Sequence, residues 1–185
     1  MAITTSHPGP SPSPVTGVDA PAAPAPAFEH FDEHGRRVCT MFESATDLPR
    51  EPASGCWLVA VDGSANSMHA LAAAFRLATQ GNVHTIDLVN VQPWMSKEAA
   101  QVELVQRGWT STAAARAWLD AHGFGWRLHV WMGEPAARIV EQAESLSSVG
   151  VAIGARGLSA TEGLLLGSIV QQVLHRTRGA VLVVR

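Results

Sequence analysis

From Cys56 to the end of the chain, short apolar runs alternate with segments of helical period, and few folds accept that pattern. Cys56-Trp57-Leu58-Val59-Ala60-Val61 is a continuous apolar run of the kind found in a strand buried on both faces. Between Ser67 and Gln80, Leu71, Ala74, Phe75 and Ala78 recur at helical spacing and Gly81 marks a stop, which predicts a helix. The alternation continues with a strand over 83–91, a helix within 97–122, a strand over 126–131, a helix over 135–146 and a strand over 149–153. A glycine-bearing loop, a helix over 168–176 and a last strand over 180–184 complete it. Strands joined by helical crossovers require a parallel sheet covered on both faces. The expected fold class is therefore α/β, a single doubly wound five-stranded parallel sheet, with ligands beyond the carboxyl ends of its strands.

The N-terminal part has a different composition. Residues 1–27 are proline, alanine and serine with hardly a large apolar side chain to bury, so no fold is expected there. Pro8, Pro10, Pro12 and Pro14, then Pro21, Pro24 and Pro26, favour an extended linker, either a docking peptide or a spacer. From Phe28 to Ser54 the chain is charged and mixed, with an apolar island at Val38 to Phe42 that could pack on the domain as a short strand. The organisation expected is a disordered extension over 1–54 and one domain over 55–185.

Charge and cysteine usage narrow the function classes. A net charge of -3 and a pI near 6.2 give no general attraction to nucleic acid or anionic lipid. No apolar run reaches the ~20 residues that cross a bilayer, and no basic, then apolar, leader pattern opens the chain. Cys39 and Cys56 lie far apart and read as thiols in a reducing cytoplasm. Among eight scattered histidines only His30 and His34 are close, and they read as solvated side chains rather than zinc ligands.

Two loops carry chemistry. Gly154-Ala155-Arg156-Gly157 is followed after nine residues by Gly167-Ser168 at a helix start. The glycines allow the backbone to approach a bound group or adopt positive φ, and the free N–H groups of the helix start favour an anion. Ser168 can donate to a phosphate oxygen or, with Gln171, form a capping box. The second loop, Asp62-Gly63-Ser64-Ala65-Asn66-Ser67, ends the first strand of the domain, where Asp62 could accept from a ribose hydroxyl or an adenine amino group, or simply cap.

VAVDGSANSMHA, VNV and IGARGLSATEGLLLGSIVQQVLHRTRGAVLVVR together resemble the universal stress protein family, whose hallmark G-x2-G-x9-G-(S/T) is met by Gly154, Gly157, Gly167 and Ser168. The resemblance spans about residues 56–185. It implies a flavodoxin-like sheet of the adenine nucleotide alpha hydrolase type in strand order 3-2-1-4-5, a homodimer through the last strand, and a site for ATP, with Mg2+ as a companion ion. Residue by residue, it implies that Asp62 meets the nucleoside with Ala60 beside it, and that the Val91 backbone meets adenine. Gly154, Gly157, Gly167, Ser168 and the Ile169 backbone would surround the phosphates, with Arg156 between the first two glycines. Two positions depart from the pattern: Val149 replaces an aspartate before the fourth strand, and Glu162 is the only charged residue between Gly157 and Gly167. The function so implied is a dimeric, ATP-binding regulator of the stress response. A nucleotide-free scaffold and a slow ATP hydrolase are the alternatives. Against hydrolysis, only the isolated Glu134 and Glu162 offer themselves as bases. The apolar last strand Ala180–Val184 would be an open sheet edge unless Val38 to Phe42 covers it.

Overall fold

The computed structural model describes residues 22–45, 55–157 and 166–185. Its sheet has seven strands in the order β1-β2-β5-β4-β3-β6-β7. They are β1 (Phe28–Phe31), β2 (Arg37–Glu43), β3 (Trp57–Ala60), β4 (Thr85–Gln92), β5 (Gly125–Met132), β6 (Gly150–Gly154) and β7 (Ala180–Val184). From β5 to β7 all neighbouring pairs are parallel, whereas β1 with β2 and β2 with β5 are antiparallel. The expected single five-stranded parallel sheet is thus corrected to a mixed sheet of seven.

The additional strands come from the charged, mixed stretch over 28–54, where a short strand at the apolar island was considered. Val38, Cys39, Thr40 and Phe42 are buried, and Phe42 stacks on Trp109 with 5.1 Å between ring centroids. The apolar island therefore does form a strand, but against β5, at the opposite edge from the one considered for it. Burial pushes the Cys39 thiol up to about 12, only partly opposed by the Arg138 charge, so at neutral pH it behaves as a small apolar side chain.

Helices cover both faces. On one side lie α1 (Ala65–Gln80), α2 (Lys97–Ser111) and α3 (Ala113–Ala121), which bury Leu71, Leu104 and Leu119 against Ile86, Leu88 and Leu128. On the other side α4 (Pro135–Ser145) and α5 (Ser168–Arg176) bury Ile139, Val140 and Val173 against Leu58, Val89 and Val151. Alternate residues of β4 enter the two cores, as a strand buried on both faces requires.

The predicted helical region between 97 and 122 is two helices meeting at Thr112, whose hydroxyl donates to the Gly108 carbonyl at 2.8 Å. Gly108 does not break α2. It permits contact with β5, since a Cβ there would lie 2.4 Å and 2.6 Å from the two methyl carbons of Val130. Gly108→Ala should therefore lower stability by about 1–3 kcal/mol through overpacking, although alanine is the better helix former by about 1 kcal/mol. In urea unfolding, adding Val130→Ala should recover part of the loss, and additive losses would show that the two positions do not share this contact.

Candidate functional site

The sheet opens where β3 leaves β4. Their pairing ends at Ala60 opposite Val89, with the Val61 N–H donating to the Val89 carbonyl at 2.9 Å, whereas β4 continues with β5 to Gln92 opposite Met132. Backbone groups alternate along a strand, so the N–H and C=O of Val91 point to the same side as the Val89 carbonyl, where β3 has already turned away. A cavity of about 110 Å³ fills this fork.

Its floor and apolar wall are Ala60, Val89, Val91, Ile153, Ile169 and, from the start of α4, Pro135 and Ile139. The polar side is Asp62, Ser64, Ser67, Asn90, Gly154, Arg156 and Gly157. One slot thus pairs an apolar wall and a backbone edge with hydroxyls, a carboxylate and a guanidinium. That combination suits a flat heteroaromatic group carrying a polar, anionic tail.

Of the nine residues singled out from the sequence, Ala60, Asp62, Val91, Gly154, Arg156, Gly157 and Ile169 line the cavity. Gly167 and Ser168 stand beside it. The Gly167 N–H donates to the Ala155 carbonyl at 2.8 Å, and Ser168 is the exposed first residue of α5. The expected Ser168–Gln171 capping box is corrected: the cap residue is Gly167, no side chain closes the helix start, and Gln171 Nε2 donates to the Leu166 carbonyl at 3.4 Å. Capping occurs instead in the first loop, where Ser64 Oγ accepts from the Ser67 N–H at 3.2 Å and Asp62 Oδ1 accepts from the Ser64 N–H at 3.0 Å.

The glycines are explained by the protein's own packing. A Cβ on Gly154 would lie 2.7 Å from the Asn66 carbonyl carbon, so the first turn of α1 rests on this residue, and Asn66 Nδ2 donates to the Arg156 carbonyl at 3.1 Å. A Cβ on Gly157 would lie 2.6 Å from Asp62 Oδ2, which sets that carboxylate against the glycine loop. Among the described residues of these two loops, positive φ occurs in the β3–α1 turn, at Gly63 with φ 86°.

Asn90 was missed from the sequence. Its Nδ2 donates to the Val61 carbonyl at 2.7 Å, and its Oδ1 accepts from Gln92 Nε2 at 2.7 Å, so a buried amide fixes where the chain leaves β4. The available signal was a polar residue inside the apolar run Leu88–Val91. Pro135 and Ile139 were missed because α4 was read only as a covering helix.

Glu134 is committed elsewhere. It caps α4 by accepting from the Ala136 and Ala137 N–H groups at 3.1 and 2.8 Å and pairs with Arg176 at 2.7 Å. Burial tends to raise its pKa, but those two N–H groups and the Arg176 charge outweigh it and lower the value. Glu162 lies outside the described residues.

Residues 57–185 match the model of the Universal stress protein family. The chain belongs to that family. A universal stress protein of Methanocaldococcus jannaschii is 30% identical over 138 residues, 69% of this chain and 80% of the relative. A universal stress protein of Mycobacterium tuberculosis is likewise 30% identical, but the match spans only 44% of that relative's length. Among solved structures, a universal stress protein from Archaeoglobus fulgidus aligns with TM-score 0.60 at 22% identity, covering 71% of this chain and 98% of the other. A universal stress protein in complex with cAMP aligns with TM-score 0.56 at 25% identity, covering 72% and 98%.

The hallmark glycines that end and follow β6, Gly154 and Gly157, should separate on substitution, because one meets backbone and the other the end of a side chain. Gly154→Ala should destabilise the fold by about 1–3 kcal/mol by displacing α1. Gly157→Ala should stay within about 0.5 kcal/mol of the parent, since Asp62 can swing aside. Equal losses in urea unfolding would refute this account of the loop.

Proposed function

We propose that this universal stress protein binds an adenine nucleotide, with ATP the first candidate, in the fork between β3 and β4, and that occupancy regulates a dimer in the cytoplasm. The observation that carries the reading is that one cavity is lined both by the Val91 backbone edge and, across from it, by the glycine loop that holds Arg156. A strand edge offering one N–H and one C=O complements the N1 and N6 edge of adenine, and the apolar wall from Val89 to Ile139 suits the ring faces. Asp62, which lines the same cavity, would take ribose hydroxyls. Ser168 and the backbone of Ile169, at the start of α5 beside Gly167 and Arg156, would take phosphate oxygens. Counted from β3, the parallel strands stand in the order third, second, first, fourth, fifth, so the strand order reverses between β3 and β6, whose following loops, at Asp62 and at Gly154 to Gly157, line the same cavity. The cAMP complex of one relative, and the dAMP complex of another at 19% identity, make an adenylate the class to test.

Mg2+ fits only as a passenger on the phosphates. Among the described residues no cluster of three metal-ligating side chains occurs, and among them Asp62 is the one carboxylate lining the cavity. Mg2+ commonly binds in this way, through substrate phosphates and retained waters. Hydrolysis has little support, because Glu134 is tied to α4 and Arg176 and does not line the cavity.

Denaturing the purified protein and identifying the released small molecule by mass spectrometry tests the site. ATP or ADP near one per protomer is expected, and Gly157→Val with Ser168→Ala should lose it. In the same preparation, saturating ATP at about a hundredfold over Kd should add about 2.7 kcal/mol of stability. An empty protein whose melting temperature ignores ATP would instead mark a nucleotide-free scaffold.

Among the described residues β7 has one strand neighbour, β6, so its other side is an edge suited to pairing with a second copy. The Val184 carbonyl accepts from the Ala155 N–H at 2.6 Å, so by alternation the Val183 N–H points outward. Val183→Pro would remove no bond to β6 and should turn a dimer into a monomer in sedimentation. A dimer that survives it would place the interface elsewhere.

A further inference from the structure

The hairpin of β1 and β2 precedes the family-matched residues 57–185, yet it touches the segment that follows β4, one of the strands lining the cavity. Because β2 runs antiparallel to β5, with Cys39 opposite Trp131 and Glu43 opposite Arg127, the turn between β1 and β2 lies at the carboxyl end of β5. That is the ligand end of the sheet. The turn is rigidly built: Asp32 Oδ1 accepts from the N–H groups of His34 and Arg36 at 3.0 and 2.9 Å, and Gly35 takes φ 68°. Those two N–H groups, chiefly that of Arg36, outweigh burial and lower the Asp32 pKa.

What the turn touches is the loop between β4 and α2, residues 93–96. Arg36 Nη1 donates to the Met95 carbonyl at 3.4 Å, and its guanidinium lies 5.8 Å from the centroid of the exposed Trp94 ring. Lys97 Nζ donates to the His34 carbonyl at 3.0 Å, and Arg37 Nη1 to the Gln101 carbonyl at 2.8 Å. From the other side, the Met95 N–H donates to Met132 Sδ at 3.2 Å. This loop begins two residues after Val91, at a level of the sheet where β4 has lost β3 and keeps only β5 as a strand neighbour. The strand edge lining the cavity therefore depends on what anchors the loop that follows it, and two of the anchors belong to the hairpin.

We infer that the hairpin supports the binding site from outside it, with Arg36 of the hairpin and Lys97 of α2, bound to the hairpin's His34 carbonyl, acting as positioning residues that hold the β4–α2 loop and so fix the Val91 edge for base selection. Neither side chain lines the cavity. Their effect falls on the base, not on the phosphates, which sit across the fork against the loop after β6. The base-selection part rests on the nucleotide reading above, whereas the loop-holding part does not.

The full-length chain carrying Arg36→Ala and Lys97→Ala tests both parts. Binding of ATP, inosine triphosphate and inorganic tripolyphosphate is measured by calorimetry. The ratio of ATP to inosine triphosphate affinity should fall about fivefold, the factor set by one typical hydrogen bond, with tripolyphosphate affinity unchanged. Arg36→Lys on the Lys97→Ala background, which keeps a donor near the Met95 carbonyl, should recover part of the ratio. A parallel loss for all three ligands, or an unchanged ratio, overturns base selection by the hairpin. Hydrogen exchange of the ligand-free protein provides the second readout: peptides spanning Val91 to Ser96 should exchange about tenfold faster in the double variant while β6 and α4 stay unchanged. Unchanged exchange over Val91 to Ser96 overturns the loop-holding role. If the parent protein binds no nucleotide, the nucleotide reading and base selection fall together, and faster exchange alone then upholds the hairpin as the loop's anchor.

Discussion

Everything at the site depends on where β3 stops pairing with β4. The last bond of that ladder, from the Val61 N–H to the Val89 carbonyl, comes three residues before β4 itself ends its pairing with β5 at Gln92. A parallel strand that turns away early leaves backbone groups of its neighbour without a partner, and burying them unpaired is unfavourable. The protein makes the departure a fixed point: Asn90 takes the Val61 carbonyl, Asp62 takes the Ser64 N–H, and Ser64 caps α1. α1 in turn sits so close to β6 that only glycine is accommodated at Gly154. The cavity is the space these contacts leave open.

A second constraint ties the apolar wall of that cavity to the sheet. Asp87 on β4 is fully buried and accepts from Arg127 Nε at 2.9 Å, while His129 Nε2 lies 3.2 Å away. Trp131 Nε1 donates to Gln142 Oε1 at 2.6 Å, which leaves the Gln142 amide nitrogen facing His129 Nδ1 at 3.3 Å. In that arrangement Nδ1 accepts and Nε2 carries the proton toward Asp87. A buried ion pair contributes little net stability against an apolar equivalent, but each of its groups is demanding about geometry. Here the demand fixes α4, which supplies Pro135 and Ile139 to the cavity, relative to β4 and β5.

From Trp57 onward the architecture was legible because strands buried on both faces are written as unbroken apolar runs, and the helices between them carry a clear period. The hairpin was not, since Val38, Cys39 and Phe42 are only three core residues among charged neighbours, and their partner β5 lies some ninety residues further on. Seven of the fifteen residues lining the candidate cavity were legible in the sequence: Gly154, Arg156 and Gly157 from the glycine spacing, Asp62 from the rule that ligands sit at strand ends, and Ala60, Val91 and Ile169 through the family resemblance. Their physical reasons were not: Gly154 and Gly157 make room for Asn66 and Asp62, contacts that sequence spacing does not encode. Asn90 lies inside a run otherwise read as apolar, and only the register of β3 against β4 gives its amide a task.

The two edges of the sheet differ in a way that bears on assembly. At one edge the outermost strand is β1, four residues long, with a register shift between His30 and Phe31 and an ion pair from Glu29 to Arg37 at 2.8 Å. Short, irregular, charged strands make poor templates for another chain. At the other edge β7 is a regular run, Ala-Val-Leu-Val-Val, in unbroken register with β6. The hairpin that braces the β4–α2 loop therefore also removes β5 as a competing edge. Strand pairing with another chain thus finds a regular template at one edge only.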